Sequence, residues 1–111
     1  MQKIAIPVLN HKLSPHFGLC SHFKFYWEDG GKIIKEDLIP APAQKPEVIP
    51  NWLAGKNVTD VIVAGIGFKP IEILNQNKIN VFAGVKMKDL NELIKEFMNG
   101  TLETNGNLCD H

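Results

Sequence analysis

At 111 residues the chain is long enough for one packed core and too short for two. Its 44% hydrophobic and 22% charged residues are the fractions of an ordinary globular domain. The 12 Lys plus Arg balance the 12 Asp plus Glu, which leaves no electrostatic case for nucleic-acid or anionic-membrane binding. No apolar run approaches the ~20 residues of a membrane span and no signal-like segment follows Met1, so a cytoplasmic location is expected.

Residues 2–9 read as a short, apolar, partly β-branched buried strand. Ser14-Pro15-His16-Phe17-Gly18 follows as a loop, where Pro15 fixes its own φ and Gly18 permits angles closed to other residues. Residues 22–28 alternate, with Phe23, Phe25 and Trp27 on one face and Lys24, Tyr26 and Glu28 on the other. Asp29-Gly30-Gly31 suits a tight hairpin turn into a return strand over 32–39, whose polar middle (Lys35, Glu36, Asp37) marks an edge.

Pro40 to Pro46 is a connector. Val48, Ile49, Trp52 and Leu53 have helical spacing, with Pro50 confining or kinking the helix and Gly55 a plausible end. Val58 to Ala64 is the strongest buried-strand signal and runs into Gly65-Ile66-Gly67. Pro70 sits in the first turn of a helix, and Ile79 to Ala83 form another short strand ending at Gly84. Leu90, Leu93, Ile94, Phe97 and Met98 follow i, i+3, i+4, i+7, i+8 spacing, and Gly100 stops that helix. The order is βββαβαβα, with the first strand expected at the sheet centre, parallel to the 58–64 strand. Residues 1–100 are expected to form one domain and 101–111 a frayed, flexible tail.

In a parallel α/β sheet, ligands gather beyond the carboxyl ends of the strands. Three segments leave those ends, 10–18, 65–69 and 84–87, so His16, Gly65-Ile66-Gly67 and Gly84 should converge on one rim. The glycine turn feeds a helix N-terminus, whose N–H groups and dipole favour an anion. The plain alternatives are a ligand-free strand-to-helix turn and a loop histidine that bonds only backbone. Cys20 and His22 would share a strand face as a ligand pair, or be a small buried hydrophobe beside a surface residue. Cys109-Asp110-His111 offers a thiol and an imidazole to a metal, or is an idle terminus. Neither cysteine belongs to a Cys-x-x-Cys pair, and a disulfide framework is not expected.

Catalysis finds little support. There is no nucleophile elbow or triad spacing, and Phe68-Lys69-Pro70 replaces the Gly-Lys-Ser/Thr of a phosphate-binding loop. Two-metal phosphodiester cleavage needs clustered carboxylates, yet the first strand has none and Asp60 stands at the far end of its strand.

Lys3-Ile4-Ala5-Ile6-Pro7-Val8, Ser14-Pro15-His16-Phe17-Gly18 and Val61-Ile62-Val63-Ala64-Gly65-Ile66-Gly67 with Ile73-Leu74 together resemble the dinitrogenase iron–molybdenum cofactor biosynthesis family. That family comprises small proteins and domains related to the carriers NifX and NafY and to the C-terminal domain of NifB. The resemblance covers about residues 2–100. It implies a ribonuclease-H-like three-layer α/β fold, a five-stranded mixed sheet with helices on its faces. It also implies a non-catalytic carrier or scaffold for iron–molybdenum cofactor, its precursor or a related molybdenum-, iron- or copper-containing sulfur cluster, exchanged with donor and acceptor proteins. Some members resemble orange proteins, which carry a molybdenum–copper–sulfide cluster, so nitrogen fixation itself is not implied. A histidine matching His16 is the cluster contact expected from the family. The candidate cargo-binding set is thus His16, Phe17, Gly18, Gly65, Ile66, Gly67 and Gly84. His16 is its metal ligand, with Cys109 and His111 as further ligand candidates. The other reading is a regulatory or interaction module that accepts a small anion or a protein partner without a cluster.

Overall fold

The computed structural model describes residues 1–42 and 47–105. Strand β1 (Gln2–Leu9) turns tightly through Asn10 and His11, both at positive φ, into the two-residue β2 (Lys12–Leu13). A short 3-10 turn (Phe17–Leu19) leads to β3 (His22–Asp29) and β4 (Lys32–Pro40). Helix α1 (Val48–Gly55), β5 (Asp60–Ile62), α2 (Phe68–Gln76), β6 (Asn80–Phe82) and α3 (Leu90–Asn99) complete the order.

The strands form one mixed sheet in the order β4-β3-β1-β5-β6, with β2 paired to β1. β1 is central as expected, antiparallel to β3 and parallel to β5. The sheet has six strands rather than five, because two residues after the Asn10-His11 turn fold back on β1. The β5 and β6 strands are shorter than the apolar runs that announce them. β4 occupies the edge, and a bulge opposite Trp27/Glu28 together with Pro40 and its charged middle discourages pairing with another chain.

Strand alternation sorts the side chains into two cores. Ala5, Phe23, Phe25, Val61 and Val63 pack with Ile49 and Leu53 of α1 and Leu74 of α2 on one face. Ile4, Ile6, Tyr26 and Ile62 pack with Leu93 and Ile94 of α3 on the other. The result is three layers, as the family resemblance implies. Trp52 lies 5.7 Å from Phe23 and 5.8 Å from Phe25, ring centre to ring centre, so the aromatic face of β3 is the seat of α1. Pro50 and Pro70 each stand third in their helices, where an N–H has no intrahelical partner to lose, and neither helix needs a kink there.

Gly100 ends α3 at φ +73, with the Gly100 and Thr101 N–H groups returning to the carbonyls of Phe97 and Glu96. Of the segment expected to fray beyond Gly100, residues 101–105 are described, and Leu102 and Asn105 contact the domain. Leu102, half-buried, packs against the α3-side core, and the Asn105 N–H donates to Ala83 O at 3.0 Å.

Tyr26 is 1% exposed and its hydroxyl has no hydrogen-bond partner among the described residues. Burial, and then the charge of Glu36, push its pKa up to about 12. The unfolded chain ionises near pH 10, so stability is whole below that pH and falls as pH rises toward 12. Tyr26→Phe is expected to gain about 1 kcal/mol at neutral pH and to lessen the alkaline loss. Urea unfolding at pH 7 and across pH 9–11 checks both.

Candidate functional site

The site is built by two loops that hydrogen-bond each other. The Phe17 N–H donates to Gly65 O at 2.8 Å and the Gly65 N–H donates to Pro15 O at 2.9 Å, a parallel bridge that pairs His16 with Gly65. The structure therefore brings the Ser14–Gly18 loop and the glycine turn together at the carboxyl ends of β1 and β5. Gly84 adjoins them, its N–H donating to Ala64 O at 2.9 Å.

His16 is exposed, with extended backbone at φ −132° and ψ 133°. Its placement depends on Ser14, which is fully buried. The Ser14 hydroxyl donates to His16 O at 2.7 Å and accepts from the His16 N–H at 3.4 Å, while the Ser14 N–H donates to Pro7 O. Sequence reasoning passed over Ser14; the available signal was a hydroxyl two residues before the histidine, the spacing of a local side-chain-to-backbone turn.

Several candidates take other roles. Phe17 is 2% exposed and packs edge-on against Phe23 at 5.8 Å, so it anchors the loop in the core instead of facing a ligand. Ile66 is likewise a core side chain. The N–H groups of Gly65 and Gly84 are spent within the sheet. Gly84, at φ +72, is covered by Asn105 and is not an open surface. Gly18 does not adopt positive φ, and a Cβ there would meet open space.

Cys20 precedes β3 and does not share a strand face with His22. Cys20 is fully buried, and desolvation pushes its thiol up to about 11, so it is protonated at neutral pH and unsuited to a metal. His22 Nδ1 lies 2.9 Å from Ser21 Oγ. His11 sits at the exposed tip of the β1–β2 turn. Cys109 and His111 lie outside the described residues.

What remains open on the rim is the start of α2. Gly67 is its N-cap residue, no side chain caps it, and Phe68 and Lys69 supply the first-turn N–H groups. The charged residues of the three loops themselves have one sign. The loops 10–21, 63–70 and 83–88 contain Lys12, Lys69, Lys86 and Lys88 and no Asp or Glu, although the whole chain is electrically balanced. Lys88 is engaged by Glu96 at 2.6 Å. The same loops expose three large apolar side chains, Leu19, Phe68 and Met87, at 57%, 69% and 57%. Among the described residues no three His, Cys, Asp or Glu side chains are grouped to hold a metal ion. Among the described residues the rim thus offers one imidazole, the lysine ammonium groups and the first-turn N–H groups of α2.

A cavity of about 380 Å³ lies elsewhere, at the amino end of β1, lined by Gln2, Glu28, Phe82, Phe97 and Met98. Its carboxylate is already used by the N–H groups of Gln2 and Gly31.

The family model described as dinitrogenase iron–molybdenum cofactor matches residues 1–100. An uncharacterised protein of Methanocaldococcus jannaschii, MJ0580, is 32% identical over 108 residues, covering 93% of this chain and 91% of its own. The crystal structure of PH0822 superposes with a TM-score of 0.87 at 27% identity, over 96% of this chain and 98% of that one. The apo orange protein of Desulfovibrio gigas shares the fold, with a TM-score of 0.78 at 15% identity over 96% and 95% of the two chains. No helix among the described residues is long and apolar enough to cross a membrane.

Proposed function

The chain belongs to the dinitrogenase iron–molybdenum cofactor family, and from that membership we propose that it is a non-catalytic carrier or scaffold for an anionic metal–sulfur cluster. The cargo is iron–molybdenum cofactor, its precursor, or a related molybdenum-, iron- or copper-containing sulfur cluster. The observation that carries this reading is the His16–Gly65 bridge, which sets the imidazole loop against the uncapped start of α2, among loops that carry lysines and no Asp or Glu of their own. His16 supplies a borderline-soft nitrogen to one metal. The N–H groups of Phe68 and Lys69, and the ammonium groups of Lys12, Lys69 and Lys86, offset the negative charge of the cluster. Gly18 leaves its side open to the cargo, whereas Phe17, Gly65, Ile66 and Gly84 act from behind as scaffold. The exposed Leu19, Phe68 and Met87 give a donor or acceptor protein an apolar surface around the cargo.

Anaerobic titration with copper(I)–tetrathiomolybdate or isolated iron–molybdenum cofactor tests this reading. His16→Ala is expected to weaken binding at least about tenfold, a cost near 1.4 kcal/mol. Equal tight binding by both proteins would remove His16 from the site, and no binding by either would overturn the carrier reading. The exposed apolar trio also favours a second reading, an interaction module that takes a protein partner without a cluster. Anaerobic purification separates the two: a coloured protein with stoichiometric metal supports the carrier, and a colourless, metal-free one that raises a partner's melting temperature supports the module.

A further inference from the structure

Helix α1 does not cover its face of the sheet to the end. Strand pairing sets Lys3 of β1 beside Trp27 of β3, and Trp27 beside Lys35 of β4, so the three form one cross-strand row on a single face. The next row is Ala5, Phe25 and Asp37. Helix α1 reaches this second row through Trp52, which lies against Phe25, and ends at Gly55. Beyond it the first row stays open: Lys3 and Trp27 are half-buried, and Lys35 and the adjoining Lys56 are exposed.

Three ammonium groups follow the aromatic rings of these rows. Lys35 Nζ stands 4.6 Å from the centre of Trp27, and Lys3 Nζ stands 4.8 Å from Trp27 and 4.9 Å from Phe25. Lys56 Nζ is 5.7 Å from the centre of Trp52. Lys3 Nζ also donates to Lys56 O at 2.7 Å, which holds it in place. Trp27 and Trp52 lie 6.2 and 5.8 Å from Phe25, so the charges are spread along the rings instead of meeting at one point. Among the described residues none of the three lysines has an ion-pair partner. Burial, and then the charges of Lys56 and Lys35, pull the pKa of Lys3 down, and Asp37 opposes them only in part. Gathering like charges in a chain of no net charge is unfavourable, and a bound anion would relieve it.

We propose that this row is a docking surface for an extended acidic peptide segment of a partner protein, whose alternate carboxylates meet Lys35, Lys3 and Lys56. Side chains on one face of an extended chain recur every ~6.6 Å, close to the ring spacings that set the lysines apart. A single tetrahedral anion would reach only part of the row. Nucleic acid fits less well, because ammonium groups already lie over the rings on which bases would stack, and the chain carries no net positive charge. The row lies at the amino end of β1 and the cargo rim at its carboxyl end, so a partner held here leaves His16 uncovered. The proposal does not depend on the carrier reading.

Both tryptophans of the chain belong to this surface, so intrinsic fluorescence reports on it. A capped peptide of alternating glutamate and serine is titrated into the full chain at low salt, and saturable binding with a fluorescence change is expected. Lys35→Glu and Lys56→Glu should each weaken binding at least about tenfold, and about 0.5 M NaCl should weaken it strongly. Lys95→Glu makes the same change in net charge on exposed α3, across the sheet, and should alter affinity by less than about twofold. A peptide of the same composition with its glutamates contiguous should bind more weakly. No binding of the alternating peptide, or equal weakening by Lys95→Glu, would overturn the proposal. Tighter binding of inorganic phosphate or oligothymidylate at the same lysines would overturn it as well, by giving the row a different occupant.

Discussion

Asp60→Ala is expected to destabilise the fold by about 3 kcal/mol, with Tm falling on the order of 10 °C. Asp60 is 1% exposed, at the amino end of β5 and far from the rim. Its Oδ2 accepts from Gln2 Nε2 at 3.1 Å and from the Thr59 hydroxyl at 2.7 Å, and its Oδ1 accepts from Asn80 Nδ2 at 3.1 Å. Those donors belong to β1, β6 and the approach to β5, so one carboxylate joins the starts of all three parallel strands. Charged acceptors give the stronger hydrogen bonds, and alanine would leave three donors to compete for water in a half-closed site. Asp60→Asn should lose only about 1 kcal/mol, because Asn80 can turn its amide and offer an oxygen to the new NH2. Equilibrium urea unfolding checks both values. Equal losses in the two variants would show that the carboxylate charge carries the whole contribution and that an amide of the same shape recovers none of it.

Gly84→Ala is expected to cost about 2–3 kcal/mol from two separable sources. Alanine at φ +72 is strained whatever the space around it. Its Cβ would also stand 2.6 Å from Asn105 Cβ and O and 2.9 Å from Asn105 N, so the segment over Gly84 must lift. Truncation after Thr104 removes the second source, and the same substitution should then cost only about 1 kcal/mol. A double-mutant cycle over Gly84→Ala and the truncation measures the difference. Gly18→Ala is the contrast: with no positive φ and open space around a Cβ, it should change stability by less than about 0.5 kcal/mol. An equal cost at the two glycines would contradict the packing of Asn105 on the rim.

Those two glycines show how far the residue pattern could be read. Both punctuate loops at strand ends, and both entered the candidate site on that ground. One has a conformational need and a covering segment, and the other has neither. Phe17 was read in the same way as part of the binding loop, yet an aromatic residue beside a charged or imidazole neighbour looks alike whether it faces a ligand or the core. Ser14 escaped notice because its value lies in two hydrogen bonds, one short and one long, to the backbone of the residue that did attract attention.

The class of fold, the central place of the first strand, the aromatic face of the third and the edge position of the fourth are legible in the residue pattern alone. It also determined the family, through motifs around His16 and Gly65-Ile66-Gly67. These are properties of alternation, helical period and turn residues, which are local and therefore written in consecutive positions. Which members of the rim face outward depends on the assembled fold. It turned Phe17 and Ile66 inward, spent the Gly65 and Gly84 amides in the sheet, buried Cys20 and brought Asn105 back onto Gly84. Each of these depends on contacts between segments tens of residues apart, where small differences in packing direct a side chain or an N–H to one partner and not another. No local pattern encodes that choice.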